Sequence, residues 1–264
     1  MAGPALPSTL VKVKALLCTW AHFIEEDLGE FCEYDYASDI KVQRFVCTGN
    51  IDPAMVIDAF LEGYDGVFVG TCEPDTCRFK GEKVYQAGNK QASAKMFTLT
   101  DALLVAGIAP GRLYTEWLSP KTPSKFPKVI EEFKTLVATM GPVQKDELTT
   151  SRLTVLREVL QSFRTRWLLG KKLELTLAVN AFGEPVEGSR FKSVMDDTIR
   201  KEYIRTWLLK VLDGGPATVE EMAKATGFPS DLVLKHLMRL RQRGQVSFCG
   251  EKHHAPIYCR EASR

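Results

Sequence analysis

At 264 residues, with 45% hydrophobic and 26% charged side chains, the chain has the composition of an ordinary soluble protein and the length of two domains, each able to bury its own core. No apolar run reaches the roughly 18 residues of a membrane span, and Met1 to Thr9 lacks a basic-then-apolar signal pattern, so a cytoplasmic location is expected. The net charge of +2 conceals an asymmetry: residues 1–142 hold 14 Lys+Arg against 18 Asp+Glu, a net of −4, whereas residues 143–264 hold 21 against 15, a net of +6. Two modules with different partners produce such a split, and so do two independently solvated surfaces. The seven cysteines point toward metal or cluster ligation, because reducing conditions disfavour disulfides and an odd count fits a disulfide framework poorly.

Val11 to Leu17 is an apolar, β-branched run ending at Cys18 and predicts a first strand. Phe23, Ile24, Leu28 and Phe31 then follow at helical spacing over 21–31, leaving Cys32 near the helix end as a small buried hydrophobe. A polar loop through Tyr34, Tyr36 and Ser38 leads to a second strand, Ile40 to Val46, ending at Cys47. Asp52 caps a helix with Pro53 at its first position, where the missing N–H costs nothing, and Gly63 stops it. Gly66 to Gly70 is apolar without alternation, as a strand buried on both faces should be, and empties into a loop carrying Cys72 and Cys77. A helix from Asn89 to Gly107, a strand over Arg112 to Leu118 and a helix over Phe126 to Met140 complete a domain ending at Gly141-Pro142. Strand and helix alternate four times, so residues 1–142 read as an α/β domain with a four-stranded parallel sheet, for which a flavodoxin-like strand order is one solution.

In that fold three strands deliver Cys18, Cys47 and Cys72 to the carboxyl edge of one sheet, where ligands gather, and Cys77 returns from the loop. Four thiolates suit an iron–sulfur centre or a structural zinc. Zinc knuckles draw ligands from short Cys-x₂₋₄-Cys segments, unlike ligands from separate strands, so the cluster is the better reading. The loop holding Cys72 and Cys77 also contains Glu73, Pro74 and Asp75, which argues for an exposed position rather than two incidental buried thiols.

The pattern Cys18-Thr-Trp20, Arg44-Phe-Val-Cys47-Thr-Gly49-Asn-Ile51-Asp52-Pro53, Ala59-Phe60, Asp65-Gly66-Val-Phe-Val-Gly70-Thr-Cys72-Glu-Pro74-Asp-Thr-Cys77 and Gly88-Asn89 resembles the delta subunit of methyl-viologen-reducing hydrogenase over roughly residues 11–142. The resemblance implies a [2Fe–2S] cluster that exchanges electrons with a heterodisulfide reductase A-like flavoprotein. It also implies a place in a larger, electron-bifurcating complex of anaerobes that includes hydrogenase, formate dehydrogenase or another low-potential oxidoreductase. Two departures stand out: Ala21 replaces the second cysteine of the family's Cys-x-x-Cys at the first strand end, and Glu73-Pro74-Asp75-Thr76 replaces its His-Pro-Gly-Asp.

Beyond residue 142, Leu153, Leu156, Leu160, Phe163 and Trp167 predict one long amphipathic helix over Leu148 to Leu169, and Leu173 to Phe182 a strand, so that residues 143–192 form a connector. Residues 193–264 read helix, helix, helix, hairpin, with Thr218-Val-Glu-Glu221 as a capping box, which is the pattern of a winged helix-turn-helix. A DNA-binding, redox-sensing regulator is therefore the alternative function. Lys235, Arg239, Arg241 and Arg243 would meet phosphates, but Ser230, Asp231 and Leu232 stand where bases are usually read, so nucleic acid is the disfavoured partner and docking to another protein of the complex the favoured one. Cys249, His253, His254 and Cys259 on the hairpin are a weaker zinc alternative, since the histidines lack the usual spacing; His236 reads as a packing or surface residue. No phosphate-binding glycine loop, nucleophile elbow or His-Glu-x-x-His occurs, so no substrate site is assigned and the chain reads as a non-catalytic electron-transfer subunit.

Overall fold

The apolar runs become the inner strands of one sheet. The computed structural model describes residues 10–21, 33–83, 86–177, 179, 183–184 and 186–261, so most of the helix expected over 21–31, and Cys32, lie outside the described residues. The chain divides into two units, Met1–Val194 and Met195–Arg264.

The first unit holds strands β1 (Val13–Cys18), β2 (Glu33–Ala37), β3 (Ile40–Phe45), β4 (Gly66–Cys72) and β5 (Leu113–Leu118) in the order β2-β3-β1-β4-β5. β3, β1, β4 and β5 run parallel, which is the order of a flavodoxin-like sheet when the parallel strands alone are counted. Every residue of β1 and β4 is buried, as their unbroken apolar runs require. The sheet has a fifth strand where a polar loop is expected: β2 pairs antiparallel with β3, placing Tyr34 opposite Val42. Its residues are exposed or half-buried throughout, so it carries no apolar period to read, and its Glu33 carboxylate lies 3.4 Å from the Lys14 ammonium and 3.8 Å from that of Lys41.

Helices α1 (Pro53–Leu61), α2 (Gly88–Val105) and α3 (Lys125–Thr139) follow β3, β4 and β5. Asp52 caps α1 as expected, its carboxylate accepting from the Ala54 N–H at 3.0 Å with Pro53 in the first position. α3 lays Phe126, Ile130, Phe133 and Val137 on Val13, Ala15, Leu17 and Phe68. At the opposite end of the sheet from the cysteines, Asp65 is only 4% exposed, and its carboxylate accepts from the Lys12 N–H at 2.9 Å and the Val143 N–H at 2.8 Å. The Arg112 guanidinium beside it donates to Asp65 O at 3.0 Å and Met140 O at 3.1 Å, fastening β1, β4 and the end of α3 together.

Two helices, α4 (Glu147–Gln161) and α5 (Phe163–Leu177), replace the single helix expected over 148–169. Ser162 adopts extended backbone (φ −62°, ψ 145°), and its hydroxyl bonds to the Thr165 hydroxyl at 3.1 Å, the local competition with helix that serine offers. The strand expected from Leu173 is helical to Leu177. Its alternating leucines are overridden by docking: the Lys172 ammonium donates to the Thr98 hydroxyl at 2.8 Å and Ala94 O at 3.2 Å, seating α5 on α2, while Arg157 of α4 pairs with Asp58 of α1. Among the described residues no helix is long and apolar enough to cross a membrane.

In the second unit the far part of α6 (Gly188–Asp213) is followed by α7 (Val219–Thr226), α8 (Ser230–Gln242) and a hairpin of β6 (Val246–Lys252) and β7 (Ala255–Arg260). Thr218 and Glu221 form the expected capping box, and Leu208, Leu212, Met222, Val233, Leu237, Leu240, Val246 and Tyr258 make a core of their own. His236 is also buried in this unit, at 4% exposure, and its Nδ1 lacks a hydrogen-bond partner among the described residues. Burial holds its pKa below the ordinary 6.5, reinforced by the positive charges of Arg205, Lys235 and Lys201 and opposed by Asp197. The folded protein therefore takes up this proton less readily than the unfolded chain, so stability is unaffected well above pH 6.5 and is lost as pH falls below it. Thermal unfolding of the full chain should show the transition involving this unit moving down between pH 7.5 and about 5.5, and His236→Leu should flatten that dependence.

Candidate functional site

Because β3, β1 and β4 are adjacent and parallel, their carboxyl ends lie side by side, and each delivers a cysteine. Cys18 is the last residue of β1, opposite Phe45 of β3; Cys47 follows β3; Cys72 ends β4 opposite Leu118; Cys77 follows the 3₁₀ turn Pro74–Thr76. All four are free thiols and all are buried, including Cys77 in the loop whose polar sequence argues for exposure. Pro74 and Asp75 face outward while Cys72 and Cys77 turn in, a distinction the loop composition does not carry.

The sulfurs of Cys18 and Cys72 stand 3.4 Å apart. The Cys72 thiol hydrogen-bonds to Cys18 and, against the cost of burial, brings the Cys18 pKa down to about 7, helped by the N–H groups of Trp20, Thr48 and Ala21. Cys72 is pushed up by the same bond, by burial, and by the negative charges of Cys18, Cys77 and Cys47. Burial raises Cys47, the Gly49 N–H at 3.4 Å opposes it, and Cys18 and Cys77 raise it further. Cys72 and Cys47 thus answer to the charge of the other thiols, although among the described residues no group of three or more His, Cys, Asp or Glu side chains is gathered in metal-holding geometry.

α2 closes the site. A Cβ on Gly88, its first residue, would overlap the Cys47 sulfur, and one on Gly49 would meet Gly88 O at 2.7 Å, so two glycine backbones pack where side chains would intrude. Asn89, fully buried, donates its amide to Cys72 O at 3.0 Å and Glu73 O at 2.9 Å. Two turns on, the Lys95 ammonium donates to Gly49 O at 2.7 Å and Ile51 O at 3.4 Å, bringing a positive charge within reach of Cys47. Burial holds its pKa below the ordinary value, offset by Asp52 and Cys47. Arg78, next to Cys77, lies over the Trp20 ring at 4.3 Å. The roles of Lys95 and of the Trp20–Arg78 pair have no local signature, since their partners are distant in sequence. Gly88→Ala should displace the Cys47 side chain and cost about 1–3 kcal/mol through overpacking, read as a lower denaturation midpoint together with faster alkylation of Cys47.

The zinc alternative on the hairpin is corrected by the structure. Cys249 and Cys259 are joined in a disulfide with Cα atoms 6.0 Å apart, so neither sulfur is free as a thiolate ligand, and His253 and His254 form the turn itself with positive φ of 51° and 64°.

The family model of the methyl-viologen-reducing hydrogenase delta subunit matches residues 13–141, the stretch that holds these four thiols. The vhc iron-sulfur subunit of an F420-non-reducing hydrogenase from Methanococcus voltae is 31% identical over 138 residues, 52% of this chain and 92% of that protein. The chain belongs to the delta-subunit family. A second F420-non-reducing hydrogenase iron-sulfur subunit, from Archaeoglobus profundus, is 31% identical over 130 residues, 49% of this chain and 90% of that protein. The A-type subunit of a ferredoxin:CoB-CoM heterodisulfide reductase from Methanosarcina mazei is 32% identical over 158 residues, 60% of this chain but 19% of that protein. The delta-subunit domain thus recurs both as nearly a whole subunit and as one segment of a much larger reductase chain, and residues beyond 141 lie outside the family match.

Proposed function

We propose that Cys18, Cys47, Cys72 and Cys77 hold a [2Fe–2S] cluster and that the protein is a non-catalytic electron-transfer subunit. In this reading it works between a heterodisulfide reductase A-like flavoprotein and a low-potential oxidoreductase such as a hydrogenase or formate dehydrogenase, within a larger electron-bifurcating assembly of the anaerobic cytoplasm. The observation that carries the reading is the convergence of four buried, mutually interacting sulfurs at one sheet edge. Their chemistry fits: four soft thiolate donors are the ligand set of such a cluster. Bound there, it would supply one-electron transfer without a substrate site.

The chain's own residues do the rest. N–H groups of Gly49, Trp20, Thr48 and Ala21 point at Cys47 and Cys18 and stabilise negative sulfur. Lys95 adds a half-buried positive charge on the Cys47 side and raises the affinity for an added electron. Partner choice is supported by the relatives, whose names place this domain in hydrogenases and in heterodisulfide reductases. The second unit is read as a winged-helix module that docks another protein of the complex. DNA regulation is disfavoured, because α8 opens with Ser230, Asp231 and Leu232 rather than base-reading side chains.

The test is purification without oxygen, followed by iron and zinc analysis and EPR after reduction. Iron with a paramagnetic signal of the reduced protein is expected. Zinc without iron, or iron that stays silent on full reduction, would overturn the cluster.

A further inference from the structure

The hairpin of the second unit carries a feature that the electron-transfer reading does not use. Cys249 is the extra residue of a β-bulge: Phe248 pairs with Tyr258 and Gly250 with Ile257, leaving Cys249 out of the ladder. The bulge swings it to Cys259, whose ladder partner is Ser247, and the two sulfurs bond. This bond is accessible, with Cys249 exposed and Cys259 half-buried, whereas the four free cysteines of the first unit are all buried. It also lies outside the core of the unit, which Leu208, Met222, Val233, Leu237 and Tyr258 fill without either sulfur. An exposed disulfide that does not build the core is one a thiol can reach and open.

A groove of about 950 Å³ adjoins it, running beside Ser247 and Phe248 of β6 and lined by Arg241, Arg243 and Arg260 against the single carboxylate of Glu261. Arg260 pairs with Asp213, and Arg243 stands 3.9 Å from Glu202, but Arg241 has no ion pair among the described residues. Phe248 is 48% exposed beside the bulge. Guanidinium groups bind carboxylates and phosphates through paired N–H donors, and a positive surrounding also favours a sulfur that leaves as thiolate.

We propose that Cys249–Cys259 is a reversible thiol–disulfide exchange site for small thiols that carry carboxylate or phosphate groups, with the arginine-lined groove as their binding site. A thiolate of such a molecule attacks the exposed Cys249 sulfur, forming a mixed disulfide as the S–S bond breaks and Cys259 leaves as thiolate. A second thiolate attacks the small-molecule sulfur of the mixed disulfide, releasing the oxidised small disulfide and the Cys249 thiolate. Two electrons pass from the two small thiols to the protein, and both protein thiolates take protons from solvent. Run backward with the small disulfide as oxidant, the same steps restore the bond. None of these steps uses a cluster in the first unit.

The test uses the folded full chain and two probe thiols, anionic glutathione and cationic cysteamine, with intact mass and peptide mapping to follow opening of the bond. Opening at millimolar thiol without denaturant is expected, with the first adduct on Cys249 and glutathione about tenfold faster than cysteamine after correction for thiolate fraction. Arg241→Gln should remove most of that preference, read as the ratio of the glutathione rate to the cysteamine rate. Given oxidised glutathione as the oxidant, Cys259→Ser should accumulate the Cys249–glutathione mixed disulfide, one glutathione leaving as thiolate, because the Cys259 thiol that would displace the second is gone. A bond that opens only in denaturant, equal rates for the two probes, or a charge preference untouched by Arg241→Gln would each overturn the proposal.

Discussion

Cys72→Ala protein purified without oxygen is expected to retain less than about a tenth of the wild-type iron and no paramagnetic signal on reduction. Cys72 is the sulfur that interacts with all three of the others: it lies 3.4 Å from Cys18, its thiol lowers the pKa of Cys18, and it responds to the charges of Cys18, Cys47 and Cys77. A cluster needs a full set of thiolates, and Ala21 stands where the family supplies another near Cys18, so no adjacent cysteine on β1 can take over. The fold should survive. The lost side chain is small, and the backbone at this point is held independently by the Asn89 amide at Cys72 O and by pairing of β4 with β5. Circular dichroism with a cooperative melt separates loss of ligation from loss of structure. Iron retained with an unaltered signal would remove Cys72 from the ligand set.

Where the sequence was legible, local and global forces agree. β4 is an unbroken apolar run because parallel strands under helices are buried on both faces, and the ends of α1 and α7 are marked by Asp52-Pro53 and by Thr218 with Glu221. Three parallel strands ending in cysteine are enough to place Cys18, Cys47 and Cys72 along one edge. The unread parts depend on partners far away in sequence or on a single residue against a pattern. β2 has no buried face, and pairing with β3 creates it. Ser162 breaks an apolar stripe that continues on both sides of it, because its hydroxyl and extended backbone begin a new helix. The Cys249–Cys259 bond depends on a bulge that shifts register by one residue, which neither cysteine count nor spacing can reveal. Within the site, the thiols were readable as residue types, whereas the supporting Lys95 and the burial of Cys77 are consequences of packing.

Asp65→Ala is expected to be the most destabilising single change away from the cysteines, at about 3–5 kcal/mol. Two costs fall together. The Lys12 and Val143 N–H groups lose their acceptor in a region from which water is excluded, and a buried donor left unmade costs about 1–3 kcal/mol. The Arg112 guanidinium, already held below its ordinary pKa by burial and supported by the Asp65 charge, is left as an uncompensated cation. The first of these also cuts the link between β4 and the chain leaving α3 toward α4. Asp65→Asn keeps one acceptor and should fall between Ala and wild type. A surface pair such as Lys128–Glu132 at 3.9 Å, both side chains well exposed, should by contrast change stability by about 0–1 kcal/mol when broken. Denaturant titration at equal slope measures all three variants. An Asp65→Ala midpoint within error of the surface-pair variant would show that this end of the sheet is held by apolar packing alone, leaving the buried charge without a structural part.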